Sequence, residues 1–115
     1  MEKTILVVDD EFVINNLITS QLNRLGYKAI QVFTGELAID LYRSSHDLID
    51  GILLDMKIPD ISGLECIDYF KQINKDIKII ICSGMVYDYK SIAVQFAIQK
   101  PFTLTELKAA CETYF

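Results

Sequence analysis

Five apolar runs of strand length, Thr4–Val8, Ala29–Phe33, Ile49–Leu54, Ile77–Cys82 and Phe96–Gln99, take turns along the chain with stretches in which apolar residues recur at intervals of three and four. Strands that are apolar throughout have no face for water, so the sheet they form must be covered on both sides. Strands joined through helices run parallel, with right-handed crossovers. The alternation therefore predicts a doubly wound α/β sandwich of five βα units. Ile14, Leu17, Ile18, Leu22 and Leu25 mark the first helix, and Gly26 stands where a left-handed residue would end it. Thr34 precedes the second, which carries Leu37, Ala38, Leu41 and Tyr42. "SGLE" (Ser62–Glu65) and "TLTE" (Thr103–Glu106) have capping-box spacing ahead of two further apolar stripes, Cys66, Ile67, Phe70 and Ile73, then Leu107, Ala110, Cys111 and Tyr114. With 115 residues, 51% of them hydrophobic, the expectation is one domain over residues 1–115.

In such sheets ligands sit beyond the carboxyl ends of the strands, where the winding direction reverses. Polar residues interrupt the apolar runs at that edge. Asp9 and Asp10 end the first strand in "ILVVDDE", Asp55 the third in "GILLDMKIP", Ser83 the fourth in "IIICSGM" and Lys100 the fifth in "AIQKPF". Three carboxylates gathered there repel, by about 4 kcal/mol for each pair at ~4 Å and an effective dielectric near 20. Lys100 offsets one of the three charges and a hard dication the other two. Mg²⁺ suits the set, because it accepts one or two carboxylates and keeps several waters, whereas Ca²⁺ wants more protein oxygens than this edge supplies. A carboxylate facing a dication and an ammonium can attack phosphorus, and Asp55 is the candidate, with Ser83 placed to bond an oxygen of the product. Taken singly, Asp10 and Glu11 could be a helix N-terminus, Asp55 a strand-end cap, Ser83 a turn hydroxyl and Lys100 a solvated loop lysine. Their joint placement favours a site.

Net charge of −5 and the lack of a Lys/Arg cluster argue against direct nucleic-acid binding. The longest apolar runs, such as Ile77–Cys82, fall far short of the roughly 20 residues that span a bilayer, and no secretory leader pattern is present, so no membrane association and a cytoplasmic location are expected. Cys66, Cys82 and Cys111 sit in apolar surroundings without metal spacing and read as buried free thiols. His46, the one histidine, lies in a polar stretch and reads as a surface residue.

"ILVVDDE", "LLDMKIPDISGLE", "IIICSGM" and "QKPF" resemble the receiver domains of two-component response regulators, and the resemblance covers essentially the whole chain. It implies a flavodoxin-like fold with strand order 2-1-3-4-5. It also implies that Asp55 accepts a phosphoryl group from a sensor histidine kinase or histidine phosphotransfer protein. Asp10, Asp55 and the backbone carbonyl of Lys57 would ligate Mg²⁺, Asp9 would act through water, and Ser83 and Lys100 would contact the phosphoryl group, with Lys100–Pro101 cis. Such a domain is not a turnover enzyme. It catalyses only its own phosphorylation and dephosphorylation, and it switches a downstream protein target or a fused output domain. Met1 directly precedes the first strand, which favours an N-terminal position over an internal one.

The sequence departs from the family pattern in one region. Most receivers have an aromatic residue three positions before the lysine, and here that position is Ala97; Phe96 should face the other side of the sheet, leaving Tyr87 or Tyr89 as substitutes. Only residues 84–99 separate Ser83 from Lys100. The fourth helix should therefore be short, over Tyr87–Val94, or largely unwound, and the output surface atypical. Lys57 and Met85 flank the path of a hydrolytic water, and with Gly84 leaving space beside Ser83 the expectation is slow dephosphorylation. A phosphatase of the haloacid-dehalogenase type would want an acid where Lys57 stands, and a flavin module a phosphate loop after the first strand. A pseudo-receiver that binds partners without phosphate is the remaining alternative.

Overall fold

The computed structural model describes residues 2–85 and 88–115. The strands are β1 (Thr4–Val8), β2 (Lys28–Val32), β3 (Gly51–Asp55), β4 (Lys78–Ser83) and β5 (Phe96–Gln99), all parallel, in the spatial order β2-β1-β3-β4-β5. Four α-helices connect or follow them: α1 (Phe12–Arg24), α2 (Gly35–Ser45), α3 (Gly63–Ile73) and α4 (Leu104–Tyr114). This is the expected flavodoxin-like sandwich. Three strands differ from the expected limits. The third strand starts at Gly51 because the Ile49 N–H closes a turn on the His46 carbonyl, and it runs through Asp55, whose register partner is Cys82. The second and fourth strands likewise lie one residue from the expected limits.

Strand alternation sorts the core into two layers. Ile5, Val7, Leu53, Ile80, Cys82 and Ile98 pack with Ile18, Leu22, Leu107 and Cys111 of α1 and α4, while Leu6, Val8, Ile52, Leu54, Ile79 and Ile81 pack with Ala38, Tyr42, Cys66 and Phe70 of α2 and α3. The helix ends follow local chemistry. Thr34, Ser62 and Thr103 each accept an N–H from the first turn they cap, and Thr103 with Glu106 completes the reciprocal box. Gly26 takes φ +94°, a conformation that the absence of a Cβ makes inexpensive, and turns the chain from α1 into β2. Leu17 and Leu37, which spacing places among the helix-marking apolar residues, are instead about half exposed; Asn15 and Ile39 take the inward positions.

No α-helix joins β4 to β5 among the described residues. A single 3-10 turn, Tyr89–Ser91, is capped by the Asp88 carboxylate, and Ile92, Val94 and Ala97 lean on the α2/α3 layer in place of a helix. The unwound alternative for the fourth helix is the one realised, and Tyr87, its expected first residue, lies outside the described residues.

Candidate functional site

Parallel register carries the polar residues to one place. Val8 pairs with Leu54, so Asp9 follows beside Asp55; Asp55 pairs with Cys82, so Ser83 lies one step beyond; Ser83 in turn pairs with Gln99, and Lys100 donates its N–H to the Ser83 carbonyl at 2.7 Å. Carboxylate oxygens of Asp9, Asp10 and Asp55 lie within 4.8 Å of one another. Asp9 and Asp55 are buried and Asp10 is exposed. Lys100 Nζ stands 2.9 Å from Asp9 Oδ2 and 3.7 Å from Asp55 Oδ2, bridging the two buried acids. Lys100–Pro101 is cis.

Backbone groups hold the acids in place. Asp9 Oδ1 accepts the Glu11 N–H at 2.9 Å, and Asp55 Oδ1 accepts the Lys57 N–H at 3.1 Å, which folds the Lys57 peptide back toward the cluster. Burial pushes the Asp55 carboxyl above its ordinary pKa; the Lys57 N–H and Lys100 oppose that, and Asp9 and Asp10 add to it. For Lys100, burial acts to lower the ammonium pKa, but the hydrogen bond to Asp9 and the fields of Asp55 and Asp9 outweigh it, so the net shift is upward. The cluster is thus short of positive charge even with its lysine. Its donors are all oxygen, its members converge, and one is open to solvent, so the residues present fit a hard dication. Asp9, with both oxygens already engaged, is the member least free to ligate directly.

Ser83 is buried, and its Oγ accepts the Met85 N–H at 3.0 Å, which leaves the hydroxyl proton available to an acceptor. Lys57 and Met85 are exposed at the rim. Ala97 packs on the α2/α3 layer and Phe96 on the α1/α4 layer, as alternation requires. Tyr89 does not fill the space of the missing aromatic: it meets Phe96 edge to face at 5.4 Å, and Phe96 stacks on Tyr114 at 4.9 Å. His46 is half-buried, with Nε2 3.3 Å from Asp47 Oδ1, and the three cysteines are buried thiols; burial raises Cys66 to about 11 and Cys111 to about 12, and Cys82 also lies above its ordinary value.

Two features escaped the sequence reading. Asn15, wholly buried on α1, donates to the Asp9 and Val32 carbonyls; the available signal was a polar residue in phase with Ile18 and Leu22. An apolar groove of about 340 Å³ runs beside Lys100 between α1 and the turn into α4, lined by Ile14, Leu17, Ile18, Gln21, Pro101 and Phe102.

The response regulator receiver domain model matches residues 5–112. Sporulation initiation phosphotransferase F of Bacillus subtilis is 32% identical, with 99% of this chain aligned to 94% of that protein. The autoinducer 1 sensor kinase/phosphatase LuxN of Vibrio harveyi is 29% identical over 91% of this chain, which spans 13% of LuxN's length. Among solved structures, the response regulator TrrA of Thermotoga maritima in complex with Mg²⁺-BeF superposes with a TM-score of 0.86 at 34% identity, covering 96% of this chain and 97% of TrrA.

Proposed function

The chain belongs to the response regulator receiver domain family, and from that premise we propose that it is a phosphoacceptor whose Asp55 takes a phosphoryl group from a histidine kinase or histidine phosphotransfer protein. The observation that carries the reading is the convergence of Asp9, Asp10 and Asp55 within 4.8 Å, with Lys100 bridging the two buried members. An Asp55 carboxylate oxygen attacks the phosphorus of a partner's phosphoimidazole. The new oxygen–phosphorus bond forms as the phosphorus–nitrogen bond breaks, and the leaving imidazole nitrogen takes up a proton. Asp10, Asp55 and the Lys57 carbonyl, with Asp9 acting through water, would hold Mg²⁺, which would neutralise charge on the transferring oxygens. Lys100 turns from Asp9 toward the added phosphoryl oxygens, and the Ser83 proton donates to one of them, drawing the chain after β4 toward the site. The domain is therefore a switch rather than a turnover enzyme, and Lys57 in place of a second acid is consistent with that. Lys57 and Met85 at the rim shield the acyl phosphate, so dephosphorylation is slow. The apolar groove beside Lys100, with Phe12, Val13 and Leu17 exposed along α1, offers the partner protein its footing.

The test exposes wild type and Asp55→Ala to acetyl phosphate with and without Mg²⁺ and reads intact mass. One phosphoryl mass gained by wild type alone, in Mg²⁺ alone, is the expected result. The unwound segment between β4 and β5 favours a second reading, a pseudo-receiver that binds partners without phosphate. Folded wild type that gains no mass, and shows no amide shift with beryllofluoride and Mg²⁺, would establish that second reading instead.

A further inference from the structure

Resting on the metal-binding reading above, we infer that Asn15 is a positioning residue whose buried amide fixes the peptide carrying Asp10 and so sets how Asp10 meets the dication. Asn15 is wholly buried in a helix whose other inward residues, Ile18 and Leu22, are apolar. A buried amide is costly unless its hydrogen-bonding capacity is filled. Here it is filled on both sides: Nδ2 donates to the Asp9 carbonyl at 3.0 Å and the Val32 carbonyl at 2.9 Å, while Oδ1 accepts from Thr19 Oγ1 at 3.3 Å and Gln31 Nε2 at 3.1 Å. One side chain thereby ties the carboxyl end of β1 to that of β2.

Asp10 needs such an anchor. The Asp9 and Asp55 carboxylates are each held by a backbone N–H and by Lys100, but the exposed Asp10 carboxylate has no hydrogen-bond or ion-pair partner among the described residues. Repulsion from its two neighbours favours swinging it out into water. What opposes this is the backbone. The Asp9 carbonyl and the Asp10 N–H share one rigid plane, so holding the carbonyl against α1 fixes the orientation of the bond from which Asp10 departs. Thr19 and Gln31 complete the device, because their bonds to Oδ1 keep the amide from turning over and presenting oxygen to the two carbonyls.

The experiment titrates Mg²⁺ alone into the whole chain, read by calorimetry and amide NMR shifts well below the melting temperature, so that every variant compared is folded. Asn15→Leu keeps the size and removes both donations; Mg²⁺ binding weakens about tenfold, while the Lys57 and Ser83 amide shifts in metal-free protein stay near wild type. The double variant Thr19→Ala, Gln31→Ala leaves Nδ2 in place but frees the amide to turn, and weakens Mg²⁺ about threefold. Asn16→Ala, which removes only the surface bond from Gln31 to Asn16 Oδ1, leaves the affinity unchanged. If Asn15→Leu does not fold, the double variant decides. Undiminished Mg²⁺ affinity in the folded variants overturns the inference alone, whereas wild type that binds no Mg²⁺ overturns the reading beneath it as well.

Discussion

At the scale of single residues, the most consequential contacts away from the acids join distant points of the chain. Asp60 receives the Gly35 N–H on Oδ1 at 3.0 Å and the Glu36 N–H on Oδ2 at 2.9 Å, closing the loop after β3 onto the N-terminus of α2. These two bonds hold its carboxyl below the ordinary pKa, and the group is exposed, so its contribution is modest. Asp60→Ala is expected to lower stability by about 0.5–1 kcal/mol at neutral pH, in the manner of a lost N-terminal cap. Because the folded-state pKa is depressed, that contribution is present above the unfolded value of about 3.9 and is lost as pH falls through it toward the folded one. Urea melts of the two proteins should therefore differ at pH 7 and converge as pH falls through the unfolded and then the lower folded-state value. Gly51 serves a different need. A Cβ there would lie 2.6 Å from Phe115 Cε1, so the start of β3 is glycine because the last aromatic ring lies against its backbone. Gly51→Ala should cost about 1–3 kcal/mol through overpacking. The loss should shrink in the double variant with Phe115→Leu, a coupling that denaturant melts of the cycle would measure.

The element that sets this chain apart is the connection from β4 to β5. Gln95 stands in for ladder that a longer connection would supply: its N–H donates to the Ile79 carbonyl at 2.9 Å, and its side-chain Oε1 accepts the Ile79 N–H at 2.6 Å. One residue satisfies both backbone groups of Ile79, whose side chain is fully buried. Gln95→Ala leaves that N–H without its acceptor, a loss of about 1–3 kcal/mol. Hydrogen exchange at the Ile79 amide should accelerate tenfold or more, each factor of ten answering to about 1.4 kcal/mol. Gln95→Glu keeps an acceptor oxygen and should keep the protection. The same segment brings Tyr89 onto Phe96 and Phe96 onto Tyr114, so the surface beyond Ser83 is organised on the α4 side of β5 rather than at Ala97. An altered output face, as proposed from the short connection, would be built around that aromatic stack.

At the scale of the whole molecule, the parts legible in the sequence are those fixed by periodicity and by strand order. Five continuous apolar runs leave few alternatives to a parallel sheet covered on both faces, and parallel register then brings Asp9, Asp55 and Ser83 to one edge without further information. Asn15, Asp60 and Gln95 were not legible, since their partners lie 17, 25 and 16 residues away and depend on how the loops close. Leu17 was misplaced for a related reason: spacing defines a helix face but not which residue a neighbouring loop leaves uncovered. What both kinds of feature serve is a sheet that gathers like charge at one end in a chain already at −5. That arrangement opposes folding unless a dication is bound, and it sets two demands against each other. Without metal, Asp10→Asn removes a repelling charge and should raise stability by about 1 kcal/mol, or roughly 4 °C in Tm. With Mg²⁺ at about 100 times its dissociation constant, wild type gains about 2.7 kcal/mol by linkage, and the variant, short of a ligand, gains much less. Thermal melts with chelator and with Mg²⁺ should thus reverse the order of the two proteins, the variant melting higher in chelator and wild type higher in Mg²⁺. An order unchanged between the two conditions would mean that the three carboxylates are no metal site.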